Sequence, residues 1–232
     1  HKGYNMDNIN KQKPESIFEH IRRDWFLKQT LQEDYIDSGI CYEYYYAIGA
    51  YYKPKSILEI GVLYGYSAAS LILGAHQNIE LFDGWDIDFY FKDNFKTDPF
   101  GDPQYYQGEI EFSDWSSNKI AYFKLHELLN EKIPNHKIDT NIITKNSQLV
   151  NYIHKHYDMI HIDGAHSSHE KMHDLKLTLG RCDVVIVDDY DFIPAVREAA
   201  DEFVNEQRKY ILNTHYIPSC RGTLIIEYKN AY

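Results

Sequence analysis

Ile57-Leu58-Glu59-Ile60-Gly61-Val62-Leu63-Tyr64-Gly65-Tyr66-Ser67 is the stretch on which the reading of this chain turns. The apolar run from Ser56 to Ile60 predicts a buried strand. Gly61 and Gly65 predict a tight turn, and Ala68, Ala69, Leu71, Ile72 and Leu73 give the helix behind it a buried side. A glycine-bearing turn from a strand into a helix lets a ligand approach bare backbone. It also aims free N–H groups and the positive end of the helix dipole at that ligand. Ser67 adds a hydroxyl in the opening turn of the helix. Glu59 is the odd residue, a carboxylate near the end of a buried strand. It would repel a phosphate and suits a ligand that carries an ammonium group. The spacing is not the Gly-x-Gly-x-x-Gly of a dinucleotide site.

Outward from that stretch, the chain predicts one α/β domain. Its 232 residues are enough for one sizeable core. The net charge of −11 speaks against a nucleic-acid surface, which needs a basic patch, and suits an enzyme with a small-molecule substrate. Three cysteines, Cys41, Cys182 and Cys220, match no metal knuckle and read as free thiols in a reducing cytoplasm. No apolar run is long enough for a membrane span and no signal peptide is visible. The chain opens on His1, so the native N-terminus is expected upstream. Tyrosine is frequent, 21 in all, as on surfaces that bind flat or sugar-like ligands.

Two helices are expected first, Pro14 to Gln32 and Asp34 to Tyr52, so that residues 1–55 form a helical cap. A second strand begins at Ile79 and runs through Asp83-Gly84-Trp85-Asp86-Ile87-Asp88. In an open α/β sheet an acid ending the second strand meets a ribose diol, since two adjacent hydroxyls match one carboxylate. Asp86 lies 21 residues after Gly65, close to the usual interval of about 20, and is the first choice, with Asp83 second. Residues 89–135 exceed a minimal α/β unit. Their first half is crowded with aromatic residues, and Ile120 to Glu131 predicts a helix. Long insertions of this kind carry function or disorder, and this one reads as a substrate lid or a dimer arm. A third strand spans Thr140 to Thr144, followed by Ser147-Gln148 and a helix over Leu149 to His154.

A second cluster closes the pattern. Tyr157 to Ile162 is a fourth strand ending in Asp163-Gly164-Ala165-His166, and Asp183 to Val187 a fifth ending in Asp188-Asp189. Both are apolar enough to be central and parallel. Their C-terminal ends then meet at the edge where such sheets bind ligands. Asp163, Asp188 and Asp189 would converge there and raise one another's pKa. A hard divalent cation removes that penalty, and all-oxygen ligation suits Mg²⁺, or Mn²⁺ or Ca²⁺. His166, His169 and His173 recur at helical spacing and read as a polar helix face rather than a zinc set. Pro194 to Gln207 predicts a further helix, and Tyr210 to Asn213 and Thr223 to Tyr228 the last two strands.

The spacing Glu59-x-Gly61-x-x-x-Gly65-x-Ser67 resembles the nucleotide-binding motif of class I S-adenosylmethionine-dependent methyltransferases. Gly84-x-Asp86-x-Asp88 resembles the ending of their second strand. The resemblance implies a doubly wound, seven-stranded, mostly parallel Rossmann-like sheet with one antiparallel strand, spanning residues 56–228 apart from the insertion. The acids after the fourth and fifth strands resemble the metal-dependent, small-molecule O-methyltransferases of the catechol type and the related sugar enzymes of antibiotic pathways. Ile162-Asp163-Gly164-x-His166 with Asp174-Leu175 resembles the branch that contains the sugar enzymes. Carried over residue by residue, the resemblance implies S-adenosylmethionine at Glu59, Gly61, Gly65, Ser67 and Asp86. It implies the adenine ring near Ser147 and Gln148, and Mg²⁺ on Asp163, Asp188 and Asp189. His166 stands where the catechol-type enzymes carry a lysine base, and a neutral imidazole accepts a proton near neutral pH. The chain departs from that type between Ile211 and Gly222, where no Asp or Glu stands to grip a second hydroxyl; His215, Tyr216, Ser219 and Arg221 stand there instead. The expected activity is therefore methyl transfer to a hydroxyl of a sugar-like or polyketide-like metabolite in the cytoplasm, by a chain expected to pair with itself as a homodimer or higher homo-oligomer. The rival readings are a nicotinamide dehydrogenase and a non-catalytic module that binds S-adenosylmethionine.

Overall fold

Ser56–Ile60 forms β1, Leu81–Asp86 β2, Asp139–Thr144 β3, Tyr157–Ile162 β4, Cys182–Val187 β5, Ile211–Ile217 β6 and Thr223–Tyr228 β7. The computed structural model describes residues 36–63, 65–87, 117–218 and 221–229. The helix expected over Pro14 to Gln32 and the aromatic half of the insertion lie outside the described residues. The strands make one sheet in the order β3-β2-β1-β4-β5-β7-β6. β7 runs antiparallel to both β5 and β6, and the other pairings are parallel. The doubly wound sheet with one reversed strand is thus present as expected.

Strand alternation divides the core in two. Ile57, Phe82, Met159, Val184, Ile186 and Ile225 face one side, against helices α1 (Ile36–Tyr52), α2 (Tyr66–Ala75) and α3 (Ser117–Lys132). Leu58, Ile60, Trp85, Ile160, Ile162, Val185, Val187 and Ile226 face the other, against α4 (Ser168–Leu177) and α5 (Pro194–Glu206). With apolar residues on both faces, the central strands read as near-continuous hydrophobic runs. α1 and α2 pack at their glycines: a Cβ at Gly74 would lie 2.1 Å from the Tyr46 carbonyl oxygen, and one at Gly49 2.3 Å from that of Leu71. The chain crosses from the first face to the second between β3 and β4. That places the topological switch between β1 and β4, where sheets of this kind open a crevice at the strands' C-terminal ends.

Four expectations about elements need correction. α3 is the crossover helix from β2 to β3, so the segment beyond a minimal unit narrows to 88–116. β2 starts at Leu81; Glu80 and Leu81 instead both donate to the Lys55 carbonyl. No helix forms over Leu149 to His154. A single 3₁₀ turn, Ser147–Leu149, stands there, and the His173 ring bonds the Ser147 and Val150 carbonyls at 3.0 Å each, occupying acceptors that a helix would use. β6 runs to Ile217, well beyond Asn213. The added stretch is polar, yet His215 is buried 3.2 Å from Glu227 of β7.

Candidate active site

The turn after β1 is held by its own side chains. Gly61 takes φ +88°, and a Cβ on it would lie 2.4 Å from the Asp163 carbonyl oxygen, so the turn closes on β4 only with glycine there. Gly65 follows in the left-handed conformation and opens α2. Asp86, the last residue of β2, accepts from the N–H groups of Val62 at 2.8 Å and Leu63 at 2.7 Å through one oxygen, and from Ile87 at 2.7 Å through the other. The residue expected to meet a ribose therefore also shapes the loop, and only Oδ1, with one bond, still has a lone pair to offer.

Glu59 is fully buried. Its Oε1 accepts from Ser67 Oγ at 2.6 Å and lies 2.7 Å from His161 Nδ1. Its Oε2 is buried with no hydrogen-bond partner among the described residues. Ser67 thus acts through Glu59, orienting the carboxylate beside the bare turn.

At the neighbouring strand ends, Asp163 and Asp188 continue the ladder past β4 and β5, their N–H groups donating to Ile60 and Ile162 carbonyls. Ligand atoms of His161, Asp163 and Asp188 lie within 4.8 Å of one another, as do those of Asp163, His166 and Asp189. Asp163 joins the two groups. Its carboxyl is pushed well above the ordinary range, first by burial and then by the charges of Asp188 and Asp189. Asp189 has φ +58°, a left-handed setting that an aspartate tolerates better than most residues. Burial alone would raise its carboxyl, but the contact with His166 and the charge of Arg221 bring it below the ordinary range. His166 Nε2 stands 3.2 Å from Asp189 Oδ2, and Arg221 Nη1 3.4 Å from Oδ1. His166 is 45% exposed, so a proton reaching it has a path to water.

The remaining expected residues divide. Ser147 and Gln148 form the turn after β3, at the same edge. The Gln148 amide donates to Asp174 Oδ1 at 2.9 Å and to the Glu170 carbonyl at 3.2 Å, tying the turn to α4. Asp83 sits apart from the other expected site residues. It lies midway along β2 on the face opposite Asp86, and its carboxylate is taken by Tyr157 and Lys155 near the start of β4 and by Asn141 of β3. His169 is exposed and His173 is bonded to backbone, so the three histidines of α4 and its approach do not converge. Arg221 reaches the aspartates, whereas His215 points at Glu227.

Three site residues went unnoticed in the sequence. His161 stands two places before Asp163, hence on the same face of β4, a parity that was legible. Tyr45 of α1 packs on the His161 ring, 4.9 Å between centroids. Burial and the charges of Asp188 and Asp163 raise its hydroxyl well above the ordinary value. Lys171 of α4 is fully buried, with Nζ 3.5 Å from the Ile162 carbonyl. Burial lowers its ammonium below the ordinary value, although Asp163, Asp174, Asp188 and Asp189 oppose the shift. Nothing in a helical pattern marks a lysine for the interior.

Sheet order, the glycine turn at the switch point and the acids along one edge define a class I methyltransferase fold. The chain belongs to the methyltransferase-domain family, whose model matches residues 58–190, more than half its length. No curated protein matches it. Among solved structures it is similar to the O-methyltransferase TomG of Streptomyces achromogenes, in complex with SAM, at 13% identity over 94% of this chain and 96% of that one, TM-score 0.54. It is similar also to the SAH-bound methyltransferase PaMTH1 of Podospora anserina, at 16% identity over 94% and 89%, TM-score 0.52. An O-methyltransferase of Bacillus cereus in complex with SAH aligns at 13% identity over 93% and 90%, TM-score 0.51. At these identities the likeness speaks for the fold. Among the described residues, no helix is long and apolar enough to cross a membrane.

Proposed function

We propose that this chain transfers the methyl group of S-adenosylmethionine to a hydroxyl of a small metabolite, sugar-like or polyketide-like, with help from a divalent cation. The observation that carries the reading is the free, buried Glu59 Oε2 beside the bare Gly61 turn, at the edge where three aspartates meet. A buried carboxylate oxygen without a partner is costly, and an ammonium group from the donor's amino-acid tail would satisfy it. Asp86, which already shapes the turn, has one acceptor site left on Oδ1 for a ribose hydroxyl, and the Ser147-Gln148 turn at the same edge would take the adenine.

The crowded carboxylates fit a hard cation, since a positive charge would lift the repulsion that raises Asp163. Asp163, Asp188 and Asp189 would hold it. Bound there, a divalent cation would favour the ionised form of an acceptor hydroxyl, and S-adenosylmethionine would supply an electrophilic methyl group. The chain's own part is placement and proton transfer. The strand ends hold donor and acceptor subsites side by side, which turns an encounter in solution into a positioned reaction. His166, whose Nε2–H faces Asp189, takes the acceptor's hydroxyl proton on Nδ1 as the new O–CH₃ bond forms and the S–CH₃ bond breaks. Asp189, 3.2 Å away, steadies the imidazolium that results, and solvent receives the proton afterwards.

A thermal-shift measurement tests the donor subsite. S-adenosylhomocysteine at about 100 times its Kd should add about 2.7 kcal/mol of stability, which raises Tm by about 5–10 °C for a chain of this size. NAD should leave Tm where it is. Stabilisation by NAD without stabilisation by S-adenosylhomocysteine would return the chain to the dinucleotide binders.

A further inference from the structure

We infer that His161 is a nitrogen ligand of the cation site, so that the aspartates do not bind their metal through oxygen alone. The inference rests on the cation-assisted reading above and adds the donor that sets which metal is preferred.

The argument starts from register. Glu59, His161 and Ile186 are paired across β1, β4 and β5. Residues in register on parallel strands share a face, and two residues on stand Gly61, Asp163 and Asp188. His161 therefore lies directly beneath the aspartates, on their side of the sheet. Its ring is fully buried. A ring nitrogen of His161 and carboxylate oxygens of Asp163 and Asp188 all lie within 4.8 Å of one another.

The ring's hydrogen bonds identify the free nitrogen. Nδ1 stands 2.7 Å from Glu59 Oε1. A carboxylate only accepts, so Nδ1 carries the hydrogen. Nε2 is buried with no hydrogen-bond partner among the described residues. In the neutral ring it holds a lone pair that the protein leaves unused, in a space lined by carboxylates. A carboxylate that fixes one ring N–H while the other nitrogen faces a metal is the usual second-shell arrangement of metal-bound histidine. Tyr45 packs on the ring and keeps it from turning. Glu59 then serves both subsites, Oε1 through His161 and Oε2 toward the donor's ammonium.

An imidazole in the set favours Mn²⁺ and later first-row ions over Mg²⁺ and Ca²⁺, which prefer oxygen. Mn²⁺ is the probe, because pulsed electron paramagnetic resonance detects a directly bound ¹⁴N. His166 is the other imidazole near Asp163 and must be separated from His161. The chain of residues 1–232 should bind Mn²⁺ with one ¹⁴N coupling. His166→Gln, at a half-exposed position, should keep that coupling. His161→Gln should lose it and bind Mn²⁺ about tenfold more weakly, with Mg²⁺ affinity altered less than about threefold. Retained stabilisation by S-adenosylhomocysteine would show that His161→Gln is folded. If it does not fold, the wild type and His166→Gln made with ¹⁵N-histidine decide the matter alone, since the ¹⁴N signal must become ¹⁵N in both. Bound Mn²⁺ with no nitrogen coupling, or a coupling lost in His166→Gln, overturns the assignment and leaves the cation reading standing. Failure of Mn²⁺ and Mg²⁺ to bind the wild type at all overturns both.

Discussion

At the β1–β2 end of the ligand edge the chain ties down its own turn. Asp86 accepts three backbone N–H groups, Ser67 and His161 hold one oxygen of Glu59, and Gly61 lies against the backbone of Asp163. At the β4–β5 end, strand geometry forces like charges together. Asp163 is raised by its neighbours, Asp189 is held in a left-handed conformation, and the compensating charges are a buried lysine and a half-exposed arginine. The first end is finished by hydrogen bonds and awaits one contact. The second is folded against its own electrostatics, as sites that bind charged ligands are. Mutations at the two ends should therefore move stability in opposite directions.

The largest effect is expected at the second end. Asp163→Asn removes the shared carboxylate of both candidate ligand groups. If a cation supplies several kcal/mol to the transition state, turnover should fall by about 10²–10³-fold. The metal-free protein should be no less stable than wild type, because a repulsive charge has gone. A lowered Tm together with full activity would mean that the aspartates are structural and the contrast between the ends is false.

The first end should respond the other way. Asp86→Asn leaves shape unchanged but replaces an acceptor oxygen with an amide that donates. Losing charge-assisted bonds to the turn should cost about 2 kcal/mol, or about 4–8 °C in Tm, and S-adenosylhomocysteine should bind more weakly because the turn that cradles it has loosened. Calorimetry and titration on one sample measure both. Unchanged stability would mean that the loop holds its form without Asp86.

How much of this contrast could be read beforehand follows from which physics speaks through sequence. Buried central strands announce themselves as apolar runs, so the parallel β1, β4 and β5 and the antiparallel β7 fell where the runs were. Acids at strand ends identify themselves, because a carboxylate has no place in a core. Glu59, Asp163, Asp188 and Asp189 stood out for that reason, and Gly61 by the tight turn it predicts. His161 was passed over because one histidine in an apolar strand looks like core; only its spacing from Asp163 separated the two cases. Lys171 and Tyr45 lie on helices packed over the site, and their inward direction depends on tertiary docking that no local pattern encodes. The turn at Ser147 is settled by His173 from another element, again a tertiary choice.

Asp83 offers the smallest effect and a control on both ends. Alternation along β2 sets Phe82, Gly84 and Asp86 on one face and Asp83 with Trp85 on the other, so Asp83 answers to the base of β4 rather than to the ligand edge. Burial alone would raise its carboxyl, but hydrogen bonds from Tyr157, Lys155 and Asn141 bring it below the ordinary value. A carboxyl lowered in the folded state stabilises above its unfolded value, about 3.9, and that stabilisation is lost as pH falls through the folded value. Lys155 is 58% exposed, so solvent screens its share. Asp83→Asn should accordingly cost only about 1 kcal/mol at pH 7. The deficit relative to wild type should shrink below about pH 4, while S-adenosylhomocysteine binds as before. Denaturant titrations of both proteins from pH 7 to pH 3 follow the deficit. A loss of S-adenosylhomocysteine affinity in Asp83→Asn would instead draw Asp83 into the donor subsite, and strand parity would no longer separate the two carboxylates of β2.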